Sequence, residues 1–181
     1  MGALYWQLND CWPVASWSSI DSNGRYKALH YEARRFFEPV HISCAETGEY
    51  STRFDITAER YYDYATKAHI FVTNDTMSEV NGIVKWELRN NKGEILRNGE
   101  TPLNVSALSY ASIPEIDFNK TNPRNNYLSF AFVVDGKMVS AGTVLFTKPK
   151  HFNFLNPNLE VTVNGDEITV KESFKVPELE A

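Results

Sequence analysis

The segment Y-L-S-F-A-F-V-V-D-G, residues 127–136, carries the clearest structural signal of the chain. Its aromatic and β-branched residues favour a strand, and the dipeptide Asp135-Gly136 is typical of a two-residue type I′ hairpin turn. A second run of strand-forming residues follows at 138–147. The segment therefore predicts a β-hairpin.

Further short strand patterns lie on the N-terminal side of this hairpin. They cover residues 40–45, 69–73, 80–88, 94–99 and 109–114, with turn signals at Asn74-Asp75 and Asn91-Lys92-Gly93. About seven short strands with regularly spaced turns predict an immunoglobulin-like β-sandwich over residues 40–152, although the Cys-Trp-Cys spacing of antibody domains is absent. Residues 153–181 add one hairpin pattern, 159–163 with 167–170, which is too little to close a domain.

The first 39 residues have a different character. The apolar run 3–8 predicts a short buried strand, and residues 9–24 read as a long polar loop. A helix is expected at 26–38, because Leu29, Ala33, Phe36 and Phe37 fall on one face. Pro39 ends it, since the residue before a proline is pushed out of the α region. Strand, loop and helix together make half of a β/α unit.

The composition excludes several classes of function. A net charge of −5 and a pI near 5.4 argue against nucleic acid or an anionic membrane surface as the partner. The chain has no run of about 18 apolar residues, the length that a transmembrane helix needs. Cys11 and Cys44 stand in no metal-binding spacing, and the histidines are scattered. We therefore expect no metal site and no cofactor.

The string G-A-L-Y-W-Q-L-N-D-C-W-P at residues 2–13 is dense and unusual, and Ser16-Trp17-Ser18, Asp21, Gly24 and Lys27 follow it. It resembles the end of the catalytic barrel in β-mannosidases of glycoside hydrolase family 2. The resemblance implies that residues 1–39 are the last strand, loop and helix of a (β/α)8 barrel. It likewise implies that 40–152 are an immunoglobulin-like domain, and that 153–181 are the truncated start of a C-terminal β-sandwich.

The same resemblance implies a set of substrate-binding residues. Active sites of such barrels lie at the C-terminal ends of the strands, where Trp6 and the following loop would stand. In the resembled family the tryptophan matching Trp6 forms a wall of the subsite for the cleaved sugar, and the alternative for Trp6 is packing between barrel and loop. Asn9 and Asp10 either bind sugar hydroxyls or cap the loop. Trp12 and Trp17 either contact the ligand or pack between loop and barrel.

Catalysis itself is expected to lie outside this chain. Retaining glycosidases use two carboxylates about 5–5.5 Å apart. In the resembled family one of them follows an asparagine, and the other stands on a strand before the eighth. The sequence has no Asn-Glu dipeptide. We therefore expect both glutamates upstream, no catalytic residue in this chain, and no activity from the fragment alone.

The parent that this resemblance implies hydrolyses terminal β-D-mannose residues with retention, so that its partners are β-mannoside glycans. A periplasmic, secreted or lysosomal parent is compatible with it, and the truncated fragment is expected to self-associate. Two alternatives stay open. One is a non-catalytic β-sandwich module that binds carbohydrate or protein, and the other is a fragment of a related β-glucuronidase or β-galactosidase.

Overall fold

The computed structural model describes residues 4–48, 65–119 and 121–171, in which β-strands dominate. These residues form one helix, ten strands and a short 3₁₀ turn, in this order: α1 (Ala28–Phe36), β1 (Val40–Thr47), β2 (Lys67–Asn74), β3 (Val80–Asn90), β4 (Ile95–Val105), β5 (Ser109–Ser112), β6 (Ile116–Asp117), β7 (Asn126–Val134), β8 (Lys137–Leu145), the 3₁₀ turn Pro149–His151, β9 (Glu160–Asn164) and β10 (Glu167–Lys171).

Two antiparallel sheets confirm the predicted sandwich. One has the order β1-β2-β5, with the short β6 also paired to β2, and the other has the order β4-β3-β7-β8. Alternate side chains of β2 and β3 point inward, so that Ile70, Val72 and Val84 are fully buried between the sheets. Strand β7 lies next to the edge of its sheet, yet five of its nine residues are buried. The core therefore sits between the two sheets.

The hairpin of residues 127–136 forms as predicted. Asp135 and Gly136 have φ angles of 50° and 74°, and the positive sign of both is what a type I′ turn requires. Glycine also makes room for large rings across the strands, because Gly99 pairs with Trp86 and Gly142 with Phe130. A Cβ on Gly99 would lie 2.5 Å from the Trp86 ring.

Polar and cationic contacts join the two sheets at their edges. The Arg97 guanidinium on β4 lies 5.5 Å from the ring centroids of both Trp86 and Phe118, and it donates to the Asp117 carbonyl at 2.9 Å. At the other edge, the backbone N–H of Ile42 on β1 donates to Ser140 Oγ on β8 at 3.2 Å.

Three details differ from the expectations. Residues 4–8 form no strand, and Leu4 is fully exposed; the predicted buried strand is therefore wrong there, while Ala3 lies outside the described residues. A strand forms when its backbone is hydrogen-bonded to a neighbouring strand, whereas this segment is hydrogen-bonded to a loop. The helix is shorter than 26–38, with Lys27 at its N-cap and Phe37 at its C-cap. The two-residue β6 was missed, because such a length carries no periodicity.

No helix in the described parts of the chain is long and apolar enough to cross a membrane. Within the same residues, no group of three or more His, Cys, Asp or Glu side chains could hold a metal ion.

Candidate functional site

The N-terminal loop is closed by a short backbone ladder. The N–H of Ser19 donates to the Gln7 carbonyl at 3.0 Å, the N–H of Ile20 to Leu8 at 2.9 Å, and the N–H of Asp10 to the Ile20 carbonyl at 2.9 Å. The two ends of loop 9–19 are therefore held side by side. This pairing replaces the sheet contact that the apolar run had predicted.

A polar cluster, the Lys27 clasp, holds the loop and consists of the buried Asp10 and Ser18 and the half-buried Ser16 and Lys27. The Lys27 ammonium donates to Asp10 Oδ2 at 2.8 Å and to Ser18 Oγ at 2.7 Å, and Ser16 Oγ donates to the other oxygen of the same carboxylate. The Asp10 side chain is 1% exposed. Hydrogen bonds from Lys27 and then from Ser16 lower the pKa of Asp10 from 3.8 to about 2.

The helix is fastened at both its ends to the preceding part of the chain. Lys27 stands at the N-cap, and its own N–H donates to the Ser19 carbonyl at 2.9 Å. At the C-terminal end, the Tyr5 ring packs against Phe36 and Phe37 with centroids 6.1 Å apart in both pairs. The apolar face of the helix therefore meets the N-terminal segment of the same chain.

An open cleft of about 360 Å³ lies between the start of the described chain and the loop. It is lined by Trp6, Gln7, Ala15, Ser16 and Trp17. The peptide bond between Trp6 and Gln7 is cis. Trp6 is 74% and Trp17 79% exposed, so two indole rings border the cleft and remain open to a ligand. Two of the five predicted site residues thus come together.

The other three predicted residues lie elsewhere. Trp12 is 66% exposed but does not line this cleft. Asn9 is exposed, and its side chain donates to the Asp10 carbonyl at 3.3 Å. The Asp10 carboxylate is buried and engaged by Lys27 and Ser16, so that it holds the loop, which is the alternative that the sequence had left open for it.

Sequence reasoning missed three residues that matter to the cleft. Gln7 and Ser16 line it, and Lys27 fixes the Asp10 carboxylate behind it. All three belong to the motif that the sequence analysis quoted from residues 2–27. Residues of their types are common on surfaces, however, and nothing in their spacing indicated a role in a site. Only the pairing of residues 7–8 with 19–20 brings them together.

The cleft carries side chains that can contact a ligand by stacking and by hydrogen bonding. Its five lining residues include no carboxyl group, and they supply two indole faces, a primary amide and a hydroxyl. Indoles stack on apolar faces of ligands, and amides and hydroxyls exchange hydrogen bonds with alcohol groups. Such a surface suits a ring that carries hydroxyl groups, and it offers no general acid or base.

Comparison with known proteins gives a consistent result. The family model of the mannosidase Ig/CBM-like domain matches residues 66–151. "Beta-mannosidase A" of Aspergillus terreus is 29% identical over an alignment 188 residues long, gaps included, and this alignment covers 93% of this chain and 18% of that protein. "Beta-mannosidase" of Capra hircus is 65% identical over 40 residues, which are 22% of this chain and 5% of that protein. The chain thus spans about a fifth of the longer match.

Solved structures share the fold. A β-D-mannosidase from Dictyoglomus thermophilum aligns with a TM-score of 0.67 and 20% identity over 93% of this chain and 20% of that one. The exo-chitosanase CsxA of Amycolatopsis orientalis aligns with a TM-score of 0.59 and 21% identity over 94% of this chain and 18% of that one. At these identities the likeness supports the architecture of the chain.

Proposed function

Because this chain is related to the β-mannosidases over nearly its whole length and carries a mannosidase Ig/CBM-like domain at 66–151, we propose that it is part of a retaining exo-β-mannosidase. In this proposal the complete protein hydrolyses terminal β-D-mannose residues. The chain contributes one wall of the sugar subsite and a domain that braces the catalytic barrel. The two catalytic glutamates belong to other parts of the protein.

The observation that carries the proposal is the cleft between Trp6 and Trp17. An indole that stays 74% exposed at the mouth of a cleft has an apolar face available for a pyranose ring. Gln7 and Ser16 stand beside it with groups that can bind sugar hydroxyls. We assign Trp6 as the stacking wall and Trp17 as a second wall, whereas Asn9 and Trp12 lie outside the cleft.

The Lys27 clasp has a positioning role in this proposal. Ser16 both lines the cleft and donates to the buried Asp10, which Lys27 neutralises. The clasp therefore fixes the side of the cleft that carries Ser16 and Trp17. Asp10 acts through Ser16 and does not touch the sugar.

The relation to the β-mannosidases also underlies the division of the chain that we propose. Residues 1–39 form the last unit of a (β/α)8 barrel, 40–152 the immunoglobulin-like domain, and 153–181 the start of a further β-sandwich. The Pro39 carbonyl accepts from the N–H of Asp75 at 2.7 Å, which fastens the junction of the first two parts to the loop after β2.

The experiment that tests the proposal compares two tryptophans in the complete protein. Trp6→Ala removes the proposed wall, and Trp12→Ala removes an equally exposed indole outside the cleft. With an aryl β-mannoside as substrate, we expect kcat/KM to fall by on the order of ten- to a hundredfold for the first variant, because a large apolar contact is lost. The second variant should stay close to wild type.

Three outcomes contradict the proposal. Absence of β-mannosidase activity in the complete protein removes the function, and equal losses in both variants remove the assignment of the cleft. Turnover of the aryl β-mannoside by the 181-residue chain alone, above the buffer rate, contradicts the placement of both glutamates elsewhere. Binding of a sugar by the isolated chain without any activity in the complete protein supports a non-catalytic module instead.

We also propose that the isolated chain self-associates. Val161, Val163, Ile168 and Val170 lie on one face of the β9–β10 hairpin, and all four are more than half exposed. Contiguous exposed apolar side chains favour association. Sedimentation of the chain over a range of concentrations checks this, and a monomer at every concentration contradicts it.

A further inference from the structure

Four Asn-Gly dipeptides occur in the sequence, with asparagines 23, 81, 98 and 164. Asparagine is chemically labile, and the backbone nitrogen of a following residue can attack its side-chain amide. Glycine favours this step because it has no Cβ and moves freely between backbone conformations. Since the dipeptide is the same in all four places, the fold decides which of them reacts.

Two of the dipeptides are locked in strands. Asn81-Gly82 lies on β3 and Asn98-Gly99 on β4, and these strands pair with each other along their whole length. A Cβ at Gly82 would lie 2.5 Å from the Phe132 ring, and one at Gly99 would lie 2.5 Å from Trp86. Ladder hydrogen bonds and rings packed against both glycines oppose the backbone rotation that the attack needs.

Asn23-Gly24 is exposed, but its nucleophile is occupied. The Gly24 N–H donates to the Asp21 carbonyl at 3.0 Å, and the Asn23 N–H donates to the Asp21 carboxylate at 2.8 Å. Attack by the Gly24 nitrogen requires that the first of these bonds breaks. The deamidation of Asn23 is therefore slowed, though less than that of an asparagine within a strand.

Asn164-Gly165 has none of these restraints in the described parts of the chain. Asn164 ends β9, and the two-residue turn Gly165-Asp166 connects it to β10. Gly165 has a φ of 61°, and no atom lies within 4 Å of its Cβ position. Among the described residues, no acceptor takes up the Gly165 N–H, and the Asn164 side chain is exposed.

We propose that Asn164 is a site of spontaneous deamidation. The Gly165 nitrogen loses its proton to solvent base and attacks Cγ of Asn164. A new C–N bond closes a cyclic imide, and ammonia leaves with the amide nitrogen. Water then opens the imide at either carbonyl, giving aspartate or isoaspartate. No oxidant, metal or enzyme is required.

The product changes the hairpin. A carboxylate at position 164 stands beside Asp166 and opposite Glu167, so that three negative charges meet at one turn. An isoaspartate also adds one methylene to the backbone at the last residue of β9, directly before the turn residue Gly165 with its positive φ of 61°. Both changes weaken the pairing of β9 with β10.

The test uses the intact 181-residue chain at mildly alkaline pH. Samples taken over time are digested, and mass spectrometry measures the fraction of each Asn-Gly peptide that has exchanged NH₂ for OH. We expect peptide 164 to convert several-fold faster than peptide 23, and peptides 81 and 98 to convert most slowly. Asn164→Gln should abolish the fastest reaction and leave the other three unchanged.

A parallel incubation in concentrated urea is the matched control. There the restraints of the fold are gone, and the four peptides should convert at similar rates. If Asn164 reacts no faster than Asn98 in the native chain, the proposal is wrong. The same holds if the native order persists in urea with unchanged ratios, because the fold then plays no part.

Discussion

Two tryptophans show how differently the N-terminal segment and the sandwich of this chain are built. Trp86 in β3 is 7% exposed and packs against Gly99, Phe118 and Arg97, whereas Trp6 in the N-terminal segment is 74% exposed beside an open cleft. The sandwich uses its aromatic rings to fill a core. The N-terminal segment instead combines a partly buried polar clasp with rings that lie at the surface. Buried rings thus stabilise the sandwich, whereas the rings that border the cleft contribute little to a core.

The largest expected effect comes from the buried ring. Trp86→Ala removes an indole between Gly99 and Phe118 and leaves a cavity, so we expect the free energy of unfolding to fall by about 3–5 kcal/mol. Urea denaturation followed by far-UV circular dichroism measures this loss. Trp12→Ala is the control, because its ring is exposed. Equal losses in the two variants would show that burial does not separate the two regions.

A smaller and more local effect is expected from the clasp. Lys27→Met keeps the length of the side chain but leaves the buried Asp10 without its counter-charge. We expect the loop that carries Ser16 and Trp17 to loosen, while the sandwich stays folded. Amide exchange measures this, with faster exchange at Asp10, Ser19 and Ile20, whose N–H groups close the loop.

Arg25→Met is the matched control for the clasp. The Arg25 side chain is 78% exposed and faces Asp21 at 3.9 Å, so its loss should leave exchange in the loop nearly unchanged. If Lys27→Met instead lowers protection across β2, β3 and β7, the clasp supports the whole chain and the contrast between the regions is wrong.

The N-terminal segment and the sandwich should also differ in their stability at low pH. Asp10 has a pKa of about 2 in the folded chain and an ordinary value of 3.8. A lowered pKa means that the ionised form stabilises the fold above pH 3.8, and that this contribution is lost as the pH falls through about 2. Asp21 shifts in the same direction through hydrogen bonds from the backbone of Arg25. Both carboxyls lie in the N-terminal segment.

We therefore expect the N-terminal segment to lose its order first between pH 4 and pH 2. Fluorescence of the indoles near the cleft, compared with exchange protection in β3 and β7, measures the two regions separately. The Asp10→Asn variant should lose most of this acid response. Simultaneous loss of both regions in the wild type, with the same profile in the variant, contradicts the assignment.

The sequence predicted the sandwich well and the site only in part. Alternation of residues and the Asp135-Gly136 turn are local signals, and they suffice for strands whose partners follow closely in the chain. The run 3–8 had the same local signal, but the carbonyls of Gln7 and Leu8 accept hydrogen bonds from the N–H groups of residues 19 and 20 in the loop and not from a strand. Lys27 was recognised as part of a string and not as the centre of a cluster. Its contacts with Asp10 and Ser18 depend on how the loop closes, and spacing alone does not show that.

The smallest expected change in stability concerns the residue with the largest proposed role. Trp6→Ala removes a ring that is mostly in water, so we expect the free energy of unfolding of the chain to change by no more than about 0.5 kcal/mol. The melting temperature should likewise stay near that of the wild type, while indole fluorescence loses the contribution from the cleft. Tyr5, which packs on Phe36 and Phe37, remains in place to hold the helix. A destabilisation comparable with that of Trp86→Ala would mean that Trp6 packs as a core residue. The exposed cleft would then not describe the chain in solution, and the two tryptophans would no longer mark two kinds of region.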